Sequence, residues 1–200
     1  PELKSKKILD MCAAPGGKSF QTICLNNNVT LNDISLRRVK KLRKNLDRLN
    51  FSNEIKNYNA LNISEEEKFD VIILDSPCSG VGTLRRNPDI LFKKMPPNLD
   101  FLTKIQESLI NKAAKLLNKN GILIYMVCSF LYDETKDIKN NFLNKHKNFS
   151  QRKFNLDSND RFKKFLDNDG DIFCIPSKFN NHMVDGFYSV KFIKNVWLFI

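Results

Sequence analysis

The stretch Lys7-Ile8-Leu9-Asp10-Met11-Cys12-Ala13-Ala14-Pro15-Gly16-Gly17-Lys18-Ser19 runs from a short apolar segment into a turn of small residues that opens a helix. This is the pattern of a strand, a tight loop and a helix. Two further apolar runs stop in the same abrupt way. Val71-Ile72-Ile73-Leu74 leads into Asp75-Ser76-Pro77-Cys78, and Ile122-Leu123-Ile124-Tyr125-Met126-Val127 leads into Cys128-Ser129. Ligands bind beyond the carboxyl ends of the strands in an open α/β sheet. Cys78 and Cys128 are therefore expected to face one crevice.

Outward from these runs, Val29 to Ile34 reads as a second strand closing on Asn32-Asp33. Ser35 is placed to cap a helix whose Leu36, Val39, Leu42, Leu46 and Leu49 form one apolar stripe. Lys40, Lys41, Arg43, Lys44 and Arg48 on that helix read as a nucleic-acid patch or, equally, as a solvated outer face. A weaker strand is expected near Ile55 to Tyr58, and a buried one over Phe69 to Leu74. Ser76 to Asn98, with Pro77, Pro88, Pro96 and Pro97, reads mostly as a long loop. Leu99, Leu102, Ile105, Leu109, Ala113 and Leu116 predict a second amphipathic helix, stopped by Asn120-Gly121 as a C-cap. A helix is expected from Tyr132 to His146. Ser150 to Asn181 shows no clear period, apart from a short strand over Asp171 to Pro176, and Gly186 to Ile193 alternates as a closing strand. Strands alternating with helices indicate an α/β doubly wound sheet.

The chain has 200 residues, which suits one domain. Its formal charge of +11 favours a polyanionic partner, with nucleic acid foremost. A lysine- and asparagine-rich composition inherited from an AT-rich genome would raise the charge of an unrelated enzyme too. The sequence has no apolar run of membrane-spanning length and no signal-peptide pattern, so a cytoplasmic protein with no membrane partner is expected. Five cysteines without a C-x-x-C spacing argue against disulfides and zinc. His146 and His182 stand far apart among polar residues, so no metal site is expected. The chain starts at Pro1, close to its first strand, and is expected to be cut from something longer.

The paired Gly16 and Gly17 remove side-chain bulk where backbone must approach a ligand, and Asp33 stands where sheets of this class accept ribose hydroxyls. Together they point to an adenosine-containing ligand. Gly17-Lys18-Ser19 also resembles the end of a phosphate loop, but that motif needs a glycine where Cys12 stands. Asp75-Ser76-Pro77-Cys78 is a weak signal alone, and a lone Cys128 is equally a small buried hydrophobe. The adenosine-type loop, two thiols and a carboxylate on one sheet edge are hard to reconcile with coincidence.

Asp10 to Lys18, Asp75-Ser76-Pro77-Cys78-Ser79-Gly80, Arg85-Arg86-Asn87-Pro88-Asp89-Ile90, Val127-Cys128-Ser129 and Asp185-Gly186-Phe187-Tyr188 occur in the order and spacing of the Sun-type RNA cytosine-5 methyltransferases. The chain resembles this family over nearly its whole length, and within it most resembles the bacterial small-subunit ribosomal RNA enzyme. The resemblance implies a Rossmann-like fold with a mostly parallel seven-stranded sheet, helices on both faces, and a single catalytic domain over residues 1–200. It also implies S-adenosylmethionine as cofactor, held by Cys12, Ala13, Ala14, Pro15, Gly16, Gly17, Lys18, Asp33 and Asp75. Asn59 stands near the adenine, where the family usually has an acid. Val127 replaces a common threonine, and Thr135 a common asparagine. The family's amino-terminal RNA-binding region is not in this sequence.

By the same resemblance Cys128 is the nucleophile and Cys78 assists release. Carbon 5 of cytosine is a poor nucleophile until a thiolate adds to carbon 6. Cys128 therefore needs an electropositive setting, which Lys18 or the cationic cofactor would supply. Asp75 is expected to hydrogen-bond the polar edge of the base, which must be single-stranded or flipped out. Arg85, Arg86 and Pro77 are the expected substrate contacts, with Lys93 and Lys94 also near RNA phosphates. A monomer acting on ribosomal RNA is expected. The rivals are a non-catalytic RNA-binding or ribosome-assembly factor, and an enzyme acting on transfer RNA or on DNA, where Cys78 would be the nucleophile.

Overall fold

The computed structural model describes residues 4–92, 98–157, 160 and 162–196. The chain divides into two compact units. One holds the residues up to Asp75, Leu109–Ile124 and those from Lys194 on. The other holds Ser76–Ser108 and Tyr125–Ile193.

The first unit is built on strands β1 (Lys7–Asp10), β2 (Asn28–Asn32), β3 (Ile55–Lys56) and β4 (Phe69–Asp75), with helices α1 (Gly17–Ile23) and α2 (Leu36–Arg48). β1 lies between β2 and β4, parallel to both, and β2 pairs in parallel with β3. Ile8, Leu9, Phe69, Ile72 and Leu74 are fully buried, as expected of parallel strands covered on both sides, whose sequences read as continuous apolar runs. Ser35 caps α2 by accepting the Arg38 N–H, and Val39, Leu42 and Leu46 form its buried face. The strand order here is β3-β2-β1-β4-β5, where β5 (Leu117–Val127) contributes Leu117–Ile124.

Helix α4 (Leu99–Leu116) ends at the predicted last apolar residue, but Asn120-Gly121 is not its cap. The chain passes straight into β5, and the left-handed Asn120 lies within that strand. The ammonium of Lys194 donates to the carbonyls of Ala114 and Leu117, satisfying the helix end from far along the chain.

In the second unit the predicted long loop carries a 3₁₀ turn, Val81–Thr83, and a short helix, α3 (Asp89–Phe92). The helix expected from Tyr132 splits into a 3₁₀ turn, Tyr132–Glu134, and α5 (Lys136–Lys145). β6 (Phe149–Gln151) and β7 (Ile172–Cys174) follow, and β8 (Ser177–Phe179) pairs antiparallel with β9 (His182–Val184) in a separate hairpin. β10 (Phe187–Lys194) lies between the end of β5 and β6 and pairs antiparallel with β7. Strand β7 is off the main path of seven strands, so the sheet has eight where seven were expected. Phe142 anchors this core, with ring centroids 5.1 Å from Phe149 and 4.7 Å from Phe192.

Candidate functional site

In the first unit, the loop after β1 is held by side chains that β2 and α2 present. Asp33, only 2% exposed, accepts the backbone N–H groups of Ala14 at 3.2 Å and Ser35 at 2.9 Å, and pairs with the Arg38 guanidinium at 3.4 Å. Arg38 also donates to the Ala14 carbonyl. Asn32 donates to the Met11 carbonyl, and Asn45 to that of Pro15. Gly16 has φ +111, a left-handed conformation that other residues rarely adopt, and a Cβ there would also collide with the Phe20 ring. Asp33 is thus first a clamp on the loop. A carboxylate has about four acceptor positions, and three are taken.

Three carboxylates gather at this loop. Lys18 Nζ lies 2.5 Å from Asp75 Oδ2, with both side chains about one-third exposed. Asp10, almost completely buried, accepts the Ser19 hydroxyl at 2.5 Å and the Cys12 N–H at 3.4 Å. Burial, reinforced by the Asp75 charge, pushes the Asp10 carboxyl up to about 6, against the pull of the Ser19 hydrogen bond. Burial likewise pushes the Cys12 thiol up to about 12, helped by Asp10, Asp33 and Asp75. Such negative surroundings suit a cationic ligand. A Cβ added at Gly17 would meet nothing within 4 Å, so the loop rim is open there. Asn59 is exposed, and its side-chain oxygen caps a 3₁₀ turn through the Leu61 N–H.

In the second unit, the loop from Ser76 to Gly82 carries Cys78 and is tied down by a residue the motifs do not flag. Glu134, fully buried, accepts the Ser79 N–H at 2.8 Å, the Ser79 hydroxyl at 2.5 Å and the Gln106 amide at 3.0 Å. Gln106 also donates to the Pro77 carbonyl at 2.9 Å and accepts the Tyr125 hydroxyl. Burial pushes the Cys78 thiol up to about 12, opposed by backbone N–H groups of Gly80 and Cys128 and reinforced by the Glu134 charge and the Cys128 sulfur. The Cys128 sulfur is thus among the groups that act on the Cys78 thiol. Ser76 Oγ in this loop is buried with no hydrogen-bond partner among the described residues.

A main-chain joint completes the arrangement. The Gly82 N–H donates to the Cys128 carbonyl at 3.1 Å, and the Gly186 N–H donates to the Gly82 carbonyl at 2.7 Å. A Cβ on Gly82 would lie 2.1 Å from the Gly186 oxygen. Two of the sequence motifs, at Cys128 and Gly186, thus meet at Gly82, which lies between two others. Arg85 pairs with Asp185 at 3.2 Å, and Arg86 pairs with the same carboxylate. One carboxylate thus faces two guanidiniums at this exposed loop. Lys93 and Lys94 lie outside the described residues.

Asp167, Asp169 and Asp171 place carboxylate oxygens within 4.8 Å of one another. Lys136 pairs with all three, and Lys139 with Asp169 at 2.7 Å and Asp171 at 3.0 Å. Tyr188 donates to Asp171 as well. Ammonium groups thus stand where a metal ion would.

Sequence reasoning quoted Asp10 within the first motif without giving it a role, and missed Arg38, Gln106, Glu134 and Gly82. Only Asp10 left a signal, as an acid inside a buried apolar run. The helix face had hidden Arg38, and the partners of Glu134 lie 28 and 55 residues away.

A family model described as "16S rRNA methyltransferase RsmB/F" matches residues 2–193. A ribosomal RNA small subunit methyltransferase B from Photorhabdus laumondii is 36% identical over 149 residues, covering 72% of this chain and 35% of the relative. The probable counterpart from Bacillus subtilis is 33% identical over 190 residues, covering 90% and 41%. This chain therefore spans about two-fifths or less of the length of these relatives. Among solved structures, PH0851 superposes with a TM-score of 0.81 at 25% identity, over 94% of this chain and 42% of that one. NSun6 from Pyrococcus horikoshii, determined with SFG, gives 0.79 at 25% identity, over 97% and 49%. Among the described residues, no helix is long and apolar enough to cross a membrane.

Proposed function

Since this chain belongs to the 16S rRNA methyltransferase RsmB/F family, we propose that it methylates carbon 5 of a cytosine in small-subunit ribosomal RNA, with S-adenosylmethionine as the methyl donor. The observation that carries the chemistry is the Gly82 joint, whose N–H donates to the Cys128 carbonyl at 3.1 Å and so ties the Cys78 loop to the Cys128 turn. One thiol serves as nucleophile and the other as proton carrier.

The loop Cys12 to Lys18, with Asp10, Asp33, Asn59 and Asp75, is the proposed donor site. Its acidic character and open rim at Gly17 fit a ligand carrying a sulfonium and an ammonium. When bound, S-adenosylmethionine supplies an electrophilic methyl group that carbon 5 accepts. Cys128 first loses its proton to solvent, and its sulfur bonds to carbon 6, pushing the ring electrons onto carbon 5. Asp75, paired with Lys18, would hydrogen-bond the polar edge of the base as charge develops on the ring.

Release requires that the proton on carbon 5 leave and that the carbon 6 to sulfur bond break. Cys78, pushed up to about 12, is a thiol at neutral pH. It can give its proton to the departing Cys128 sulfur and take up the proton leaving carbon 5, directly or through water, and so end as it began. Cys78→Ala should then accumulate a covalent protein–RNA adduct, whereas Cys128→Ala should form neither adduct nor product. Bisulfite sequencing of 16S rRNA treated with the wild-type protein would locate the methylated cytosine. Failure of the wild-type protein to transfer labelled methyl to that RNA would leave a non-catalytic RNA-binding role as the better reading.

A further inference from the structure

Helix α2 carries seven basic residues in thirteen and one acid, Asp47, and so accounts for six of the chain's net eleven positive charges. At 100° per residue, Arg37, Lys41, Lys44 and Arg48 fall within a stripe about 60° wide, directly opposite buried Val39, Leu42 and Leu46. The four are exposed and span about 16 Å at 1.5 Å per residue. Among the described residues, only Arg38 of the seven cations makes an ion pair, with Asp33. At the start of the stripe Arg37, Arg38 and Lys41 line an open cleft with Pro15 and Ser35.

A helix face that merely meets solvent usually mixes signs, because like charges three or four residues apart repel. The other long helices of this protein do so. α4 mixes Lys104, Lys112 and Lys115 with Asp100 and Glu107, and α5 pairs Lys136 and Lys139 with carboxylates. In α2, by contrast, Arg37–Lys41, Lys40–Lys44, Lys41–Lys44 and Lys44–Arg48 are all repulsive neighbours. A polyanion laid along the stripe would relieve the contacts among its four cations.

We propose that the outward face of α2 is a docking rail for the sugar–phosphate backbone of RNA, positioning the substrate without reading its sequence. The proposal rests on the RNA-substrate reading above; the rail starts beside Pro15 of the donor loop but uses none of the residues proposed to hold the donor. Phosphate contacts of this kind set register and give binding its salt dependence, whereas the target base is chosen elsewhere.

The test uses the chain with Arg37, Lys41, Lys44 and Arg48 all replaced by Gln, against a control of equal charge loss in which exposed Lys104, Lys119, Lys145 and Lys147 become Gln. Arg38 is left intact because it holds the donor loop. Circular dichroism and thermal melting verify that both variants fold. Affinity for a 16S rRNA fragment is then measured against salt. The rail variant is expected to lose about 0.7–0.9 of slope in log K against log salt for each phosphate contact removed, or roughly 3 for four contacts. Its KM for RNA should rise with kcat unchanged, and the control should keep most of the slope. A rail variant with the wild-type slope and KM, or a slope loss no larger than the control's, would overturn the proposal, as would a wild-type protein that binds no RNA. A wild-type protein that binds through α2 yet transfers no methyl would support the rail and overturn the functional reading instead.

Discussion

Glu134 is the residue whose replacement tests most directly how the Cys78 loop is held. Glu134→Ala removes the acceptor for the Ser79 N–H, the Ser79 hydroxyl and one Gln106 amide hydrogen. A buried donor left unpaired costs about 1–3 kcal/mol. Gln106 keeps the Pro77 carbonyl, so the two Ser79 donors sum to roughly 2–6 kcal/mol, a large share of the 5–15 kcal/mol that stabilises a typical domain. Glu134→Gln is the sharper instrument. It retains shape and one carbonyl acceptor, and the Ser79 hydroxyl can turn to accept from the new amide, so stability should change by less than about 1 kcal/mol. What it removes is the negative charge that helps hold the Cys78 thiol up. Burial, the larger cause, remains, so the thiol should titrate lower than about 12 but still above a free cysteine. Each unit of fall gives about ten times more thiolate at a given pH. Alkylation resolved peptide by peptide between neutral and alkaline pH should therefore label Cys78 faster in Glu134→Gln than in the wild type. Unchanged or slower labelling, or a Glu134→Ala protein as stable in urea as the wild type, would refute the reasoning.

Gly82→Ala should destabilise by roughly 2–4 kcal/mol and abolish methylation, since its Cβ would meet main-chain oxygen at 2.1 Å, whereas Gly17→Ala should leave the urea midpoint unchanged. Asp10 binds its proton more tightly folded than unfolded, so its contribution is greatest in acid and is lost as pH rises through about 4 to 6. Relative to Asp10→Asn, the wild type should lose about 3 kcal/mol across that window in urea titrations at stepped pH. Lys139→Met should cost about 1–3 kcal/mol, since Asp171 loses one charged partner but keeps Lys136 and Tyr188, as measured by denaturation. Calcium or magnesium should leave the wild-type melting temperature unchanged, because ammonium groups already compensate the three aspartates.

Much of the fold was legible wherever burial is continuous. β1, β4 and the latter part of β5 read as apolar runs because parallel strands covered on both sides tolerate little else. Asn120-Gly121 misled because it carries the left-handed signal of a helix end, while the cap came from Lys194, 77 residues beyond Leu117. The three-residue strands β6, β8 and β9 are too short for a two-residue period to emerge. At the candidate site, the small-residue loop and both thiols stood out by composition and position. The residues that hold them did not, since nothing near Glu134 in sequence announces Ser79, and nothing near Arg86 announces Asp185.

The Gly82 joint limits how this scaffold can be redesigned. Peptide groups, rather than side chains, link the Cys78 loop, the Cys128 turn and the Asp185-Gly186 segment, so no choice of rotamer or residue type can rewire that connection. An engineer seeking a new target could vary exposed side chains that hold neither loop nor RNA, such as Lys104 and Lys119. The three crossing strands of main chain would have to be transplanted together, as one inherited unit.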